Sequence, residues 1–453
     1  MAETTMAERL ARWVVDLRYE DLSADALFHA KRCMLDTLGT QIRGATLPWI
    51  QPVYRYIKTL GGDGATVTYH GDRLSVPYAA YVNSTFCYSC ELQHHGSYGS
   101  AHTGVTVIPT VQALAEQLGS SGRDVITAMA AGYEVQGRLG APLFVPLFKR
   151  FFHPQGVLGV FSAAAAAGHL LKLSAEQQAH AFAIAGSSAS TVLEYDQAGG
   201  EVKRIHGAIA ARSGIQAACL AKEGLTGPLS IFEGHHGIFA AFGGCEVNPD
   251  EVLAGLGKPY CIELTRYRIY STVAACHPTL DVVNDLVAAH RIDYRDVESI
   301  EVGMPEMSAH HVTSIKRPHD AMSAQACLPY SIGVLLVKGD NSLERYIDAE
   351  LRSNVEVLAI ADKVRVSPLS DPRSPRFTRV QIKLKGGRVV ADETTDYRGT
   401  ESKPFTDEVM ENKFRTLAGV LLPKERLDKI VSAVAHLDEL SSMSQLVPLL
   451  IKA

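Results

Sequence analysis

The chain has 453 residues, enough for two compact domains and about three at most. Its 46% hydrophobic and 21% charged residues exclude wholesale disorder. The 44 basic against 49 acidic side chains leave a net charge of −5, with no chain-wide pull toward nucleic acid or an anionic membrane.

The first residues, MAETTMAERLARWVVDL, mix acids with apolar side chains and lack a basic segment leading into an apolar one, so no signal peptide is expected. After Ser23, a fitting N-cap, Leu27, Ala30, Met34 and Leu38 recur at helical spacing until Gly39 and Gly44, which are expected to interrupt. The run 78–92, YAAYVNSTFCYSCEL, reads as helical, as does Val125 to Gly137. Phe151 to Leu171 carries no Asp, Glu, Lys or Arg, which prompts a membrane check. Its His153, Pro154, Gln155 and His169 among many alanines favour a helix buried in protein instead. Ser174 to Gln177 forms a capping box opening the next helix, and Ile205 to Leu220 forms another rich in small residues. Small side chains let helix axes approach, so this half reads as a compact multi-helix domain.

After about residue 262 the texture changes. Val297 to Met304 alternates apolar and polar residues, and Arg379 to Leu384 pairs across Gly386-Gly387 with RVVADET as a hairpin. Ser323 to Lys338 and Leu343 to Ala349 read as helices between them, making a smaller α+β unit. Beyond Lys403-Pro404 the pattern is helical again over Asp407 to Leu417, Lys424 to Leu440 and Ser442 to Leu450, a tail expected to pack back on the first domain. No repeat or low-complexity tract stands out.

Eight cysteines spread from 33 to 327 lack the density and spacing of a secreted disulfide framework, which points to a reducing cytoplasm. Cys87 and Cys90 with His94 and His95 could ligate zinc, but a second ligand pair at a characteristic spacing is missing, and buried thiols are the simpler reading. No phosphate-binding loop, dinucleotide fingerprint, nucleophile elbow or HExxH stands in the sequence. Among 17 histidines, His102 and His153 stand out because each precedes a helix start, where neutral imidazoles suit proton transfer and backbone N–H groups favour carboxylates. Lys203-Arg204 opens an apolar, Ala-rich helix. Such charges either reach solvent or need a buried partner; if Lys203 turns inward beside His102 and His153, the pocket suits a di- or tricarboxylate.

The blocks MLDTLGTQIRGA (34–45), AHTGVTVIPTVQALAE (101–116), AAGYEVQGRLG (130–140), FHPQGVLGVFSAAAAAGHLLKLSAEQ (152–177), VKRIHGAIAARSGIQAACLAKEGLTGP (202–228), ACHPTLDVV (275–283) and LPYSIGVLLVKGD (328–340) resemble the MmgE/PrpD family, in order and over nearly the whole chain. The family includes 2-methylcitrate dehydratase, cis-aconitate decarboxylase and iminodisuccinate epimerase. The resemblance implies a mainly α fold. A large all-helical domain, 1–262 plus 403–453, would carry an inserted α+β lid domain, 263–402, with the site in the cleft between them. It further implies a homodimer that works without metal or organic cofactor on a small carboxylate substrate; the cysteine usage adds a cytoplasmic location and the charge balance neither nucleic acid nor membrane as partner. The reaction expected is removal of a proton α to a carboxylate, followed by loss of water or CO2 or by reprotonation. A dehydratase comes first, a decarboxylase or epimerase next; a zinc-dependent hydrolase and a catalytically silent carboxylate binder are the readings outside it. By position, His102, His153, Lys203, Tyr330 and Glu91 match the family's catalytic positions, and His95, Gln93, Arg268 and His277 its substrate-binding ones. The loop usually runs acidic-x-Asp-Asp-Thr; here it is Glu91-Leu-Gln93-His94-His95, and the run before Tyr330 lacks a basic residue.

Overall fold

A computed structural model describes residues 4–96, 101–369, 371 and 374–452. Helices dominate, with a small sheet region. At the centre, the helix Pro154–Leu170 is buried along its whole length. It packs on Gly122–Lys149, His206–Lys222 and Thr103–Leu118. The packing depends on small side chains: a Cβ on Gly214 would lie 2.4 Å from the Ala163 Cβ and 2.7 Å from the Val160 carbonyl oxygen, so only glycine permits this approach. No helix among the described residues is long and apolar enough to cross a membrane.

The helix after Ser23 runs from Ala24 to Gly44, straight through Gly39. Glycine costs a helix interior only about 1 kcal/mol, and here the missing side chain makes room for Phe414, whose ring would stand 3.2 Å from a Cβ at Gly39. Phe414 lies on Asp407–Ala418, so the C-terminal helix is seated on the 24–44 helix. The last expected helices are shorter. Lys424–Ala435 ends before a 3-10 turn at Leu437–Glu439, and residues 443–450 form two 3-10 turns around Pro448. The expected helix from Ser323 breaks at Cys327 into Ala321–Ala326 and Leu328–Lys338, because Pro329 restricts the residues before it.

A second apolar core, separate from the helical one, gathers Leu280, Val283, Ile300, Val302, Leu328, Ile332, Val380 and Ile382. It lies under a four-stranded sheet in the order 364–368, 297–304, 378–384, 389–394. The last three strands are antiparallel neighbours, with Lys383 opposite Val389 across the glycine turn. The edge strand Val364–Pro368, parallel to Val297–Met304, escaped the sequence reading because it is only five residues long and ends in a proline, although Val364 and Val366 pack against the core.

Candidate active site

The helix Val76–Tyr88 stops short of the expected 78–92 run, and the chain turns at Glu91, whose φ of 53° is left-handed. The following loop is clamped. Asp36 accepts from the His94 backbone N–H at 3.0 Å and from its Nδ1 at 2.8 Å, and Lys413 of the C-terminal helix donates to Asp36 at 2.5 Å and to the Leu92 carbonyl at 2.6 Å. His94 Nε2 meets the Tyr133 hydroxyl at 2.6 Å. Burial resists a charge on His94, but the Cys33 thiol and Asp36 outweigh it and raise its pKa to about 9. Asp36 thus favours the protonated form of the His94 ring.

His95 and Gly96 pair antiparallel with Arg266 and Thr265, which brings the segment carrying Arg268 against the loop. Arg268 donates through Nε to the Gln93 carbonyl at 2.7 Å and through a guanidinium nitrogen to Thr272 at 3.0 Å. The remaining cations come from the 3-10 turn Glu201–Ile205. Glu91 is the focus of all of them. Its Oε1 lies 2.7 Å from Lys203 Nζ and 3.4 Å from Arg204, and its Oε2 lies 3.6 Å from Arg268. All four side chains are buried. Burial alone would raise the Glu91 pKa, yet Lys203, Arg268 and Arg204 bring it down to about 2. Burial lowers the pKa of Lys203, as do the two guanidiniums, against the pull of Glu91. Arg204 also holds Glu201 at 2.9 Å, so three cations on two carboxylates leave one positive charge without a counter-ion in the cluster, and one Arg268 nitrogen is buried with no hydrogen-bond partner among the described residues.

These groups open into a cavity of about 800 Å³ lined by Glu91, His95, His102, His153, Lys203 and Arg268. His102 is the N-cap residue of Thr103–Leu118, and its own backbone N–H donates to Gln155 at 2.8 Å. Its Nδ1 lies 3.5 Å from the His94 carbonyl, an acceptor only, so Nδ1 carries the hydrogen; Nε2 has no protein partner among the described residues. Burial, then Arg268 and Lys203, hold the pKa of His102 well below the ordinary imidazole value. His153, the N-cap residue of Pro154–Leu170, is held low by burial, His206 and Lys203. Both its nitrogens are engaged, Nδ1 with His206 at 2.7 Å and Nε2 with the Tyr88 hydroxyl at 3.4 Å. His95 Nε2 meets the Tyr397 hydroxyl at 2.6 Å, and burial, Arg268 and Arg266 keep its pKa low.

Not every expected residue joins them. Gln93 and His277 are buried just behind the wall: the Gln93 side-chain amide and His277 Nε2 have no hydrogen-bond partner among the described residues, and the His277 ring stacks obliquely on Tyr397 at 5.4 Å. Tyr330 stands apart. It belongs to a small apolar cluster with Cys327, Val334 and Tyr346, away from the residues lining the cavity, because the break at Cys327 redirects its helix. The zinc reading finds its four residues with four different partners: Cys87 with Ser84, Cys90 with Thr40, His94 with Asp36 and His95 with Tyr397. Among the described residues no group of three His, Cys, Asp or Glu could hold a metal ion.

Sequence reasoning missed Tyr88, Tyr195, Asp196, His206 and His311. Lys203 Nζ lies over the Tyr88 and Tyr195 rings at 5.7 Å each, and His311 pairs with Asp196 at 2.9 Å beside the cavity. The periodicity around Tyr88 is that of an ordinary core helix, so only its neighbours single it out.

A helical body and a second α+β core thus flank a buried cluster of Lys203, Arg204 and Arg268 around Glu91. The MmgE/PrpD N-terminal domain matches residues 8–249 and the MmgE/PrpD C-terminal domain residues 270–439. The chain belongs to the MmgE/PrpD family. Among its relatives are the cis-aconitate decarboxylase-like protein oryM of Aspergillus oryzae, 28% identical over 99% of this chain and 98% of its own length, and the cis-aconitate decarboxylase of Aspergillus terreus, 27% identical over 99% and 96%. The human cis-aconitate decarboxylase is 28% identical over 98% of this chain and 94% of its own. Decarboxylases of this kind are lyases, and this protein is an enzyme of that class.

Proposed function

We propose that the protein is a lyase that removes CO2 from an unsaturated di- or tricarboxylate of the cis-aconitate type, with its chain's own residues supplying the chemistry. The observation that carries the reading is the surplus positive charge that Lys203, Arg204 and Arg268 keep after pairing with Glu91 and Glu201, beside His102 and His153 on the same cavity. Lys203 and Arg268 would bind the retained carboxylates, the Arg268 nitrogen without a partner being the natural first contact. As the C–CO2 bond breaks, its electron pair moves into the conjugated system toward a retained carboxylate, and the cations neutralise that charge in place. A carbon of that system then takes a proton. His102 is the proposed carrier, since its Nε2 has no partner among the described residues: burial, Arg268 and Lys203 depress its pKa, and an arriving substrate anion would offset the cations and let it load a proton. His153, tied to His206 and Tyr88, orients the ring wall and relays protons. His95 would touch substrate from the same loop.

A hydro-lyase is the second reading, favoured by one observation: the unprotonated Nε2 of His102 is what abstraction of an α proton requires. The division into 1–262 plus 403–453 and a covering unit 263–402 belongs to this proposal and is supported by the two separate apolar cores. The test is proton NMR in D2O with cis-aconitate, citrate-type and malate-type acids. Release of CO2 with one deuterium in the product supports the first reading, and loss of water the second. Silence toward every acid of the panel refutes both.

A further inference from the structure

We infer that His311, oriented by Asp196, is a substrate-contacting residue of the cavity, its Nε2 donating to a second carboxylate of the acid that Lys203 and Arg268 hold. The inference rests on the reading of the cavity as a carboxylate site given above. His311 lies on the helix Glu306–Thr313, whose Ala309 and Val312 enter the second apolar core, and both His311 and Asp196 line the cavity. Its Nδ1 stands 2.9 Å from a carboxylate oxygen of the buried Asp196. Asp196 is pinned in turn: its backbone N–H donates to the Leu193 carbonyl at 2.8 Å, and its own carbonyl accepts from the Ser314 hydroxyl at 2.8 Å. The Phe148 ring meets the imidazole at right angles, 6.4 Å away. A carboxylate on one ring nitrogen fixes the orientation of the ring and the proton on that nitrogen. The other nitrogen, Nε2, has no hydrogen-bond partner among the described residues, and the side chain keeps 22% of its surface exposed.

The fold does not call for this pair. Leu193 and Tyr195 already share an apolar core with Ala309 and Val312, and the Ser314 bond ties the same two segments. A buried ion pair adds little to stability there. What it supplies is a directed donor. Burial resists a proton on His311, yet Asp196 outweighs it; Lys203 opposes the charge, Glu91 favours it, and the pKa ends raised. His95, His102 and His153 on the same cavity are all held low, and the neighbouring His310 is exposed beside Glu306 at 3.9 Å. With Nδ1 spent on Asp196, a protonated His311 has one N–H left, which only an acceptor satisfies, and a carboxylate best of all. Tyr195, next to Asp196 in the chain, lies under Lys203, so this donor stands beside the cationic cluster.

The probe is propane-1,2,3-tricarboxylate, which has neither a leaving hydroxyl nor a double bond, titrated by calorimetry into the full chain. An Asp196→Leu, His311→Phe double variant removes both charges together, so no unpaired one stays buried and the melting temperature should hold. Its Kd is expected to weaken by about 10- to 100-fold, the usual worth of a hydrogen bond to a charged group. A crystal structure of the wild type with the probe should show a carboxylate oxygen within about 3.2 Å of His311 Nε2, a result that depends on no variant. An unchanged Kd in the folded double variant, or a bound probe that leaves Nε2 without an anion, overturns the inference. Lys203→Met separates it from the reading beneath it. Binding lost in Lys203→Met and kept in the double variant overturns the role of His311 alone; the reverse overturns the role of Lys203 and supports that of His311. A wild type that binds no probe overturns both.

Discussion

At Glu91 a single carboxylate holds together Lys203, Arg204 and Arg268, and each is buried. Removing one partner of such a cluster costs more than the pair itself contributes, because the charges left behind are neither hydrated nor paired. Glu91→Gln is therefore expected to destabilise the protein by about 3–5 kcal/mol in urea unfolding, and a loss under 1 kcal/mol would mean the cations are hydrated. Lys203→Met leaves Glu91 two guanidiniums and should fold. It is expected to lower kcat/KM for the substrate found by NMR by about 10²–10³-fold, the usual cost of one charge-stabilising donor. The pH profile follows from the depressed histidines. His102 and His153 sit well below 6.5, so their unprotonated forms persist through the neutral range. If His102 abstracts a proton, as a hydro-lyase requires, the acid limb of kcat/KM should lie below pH 6.5; if it delivers one, as the decarboxylase reading requires, kcat/KM should instead fall as the pH rises through that lowered pKa, and a limb at the ordinary imidazole value would place the proton carrier elsewhere.

Two elements set where those residues stand. The first is the 91–96 loop, clamped by Asp36 from the 24–44 helix and Lys413 from the 407–418 helix. His94 has a pKa raised to about 9 from 6.5, so its contribution is full below about pH 6.5 and is lost as the pH rises through about 9. The stability difference between wild type and His94→Gln should thus shrink between about pH 6 and about pH 10; a constant difference would show that the imidazole is uncharged in the fold. The second element is the buried 154–170 helix, whose first turn presents His153. Gly214→Ala puts a methyl group 2.4 Å from the Ala163 Cβ and is expected to cost about 1–3 kcal/mol, with His153 displaced and activity falling in parallel.

Over the whole molecule, the site joins two cores. The first supplies Glu91, His102, His153 and Lys203, and the segment leading into the second supplies Arg268. Polar bonds tie the halves here: Ser271 donates to the Cys90 carbonyl at 2.6 Å, Arg204 to Gln325 at 2.6 Å and Arg268 to the Gln93 carbonyl at 2.7 Å. A ligand that neutralises the surplus charge should fasten them. At a concentration near one hundred times Kd it is expected to add about 2.7 kcal/mol to the unfolding free energy, seen as a higher Tm in the wild type and not in Lys203→Met.

Helix positions, the hairpin about Gly386-Gly387 and the two histidines at helix starts were legible in the chain because each depends on local spacing, capping and side-chain size. The edge strand 364–368 and the break at Cys327 were not, since one is only five residues long and ends in a proline and the other balances a proline against an otherwise good helix. Family likeness pointed to Glu91, Lys203 and Arg268, but nothing in their spacing says that they share one carboxylate. The positions 91, 203 and 268 meet only through packing, as do His94 with Asp36 and Lys413, and His153 with His206. Tyr330 makes the same point in reverse: its motif reads well, yet the helix that carries it faces a different cluster. By itself the sequence determined which segments coil and which residues could carry charge or protons. Only the tertiary structure decided which charges share a solvent-free space, where a neighbour's field sets whether each can be held and which proton it keeps.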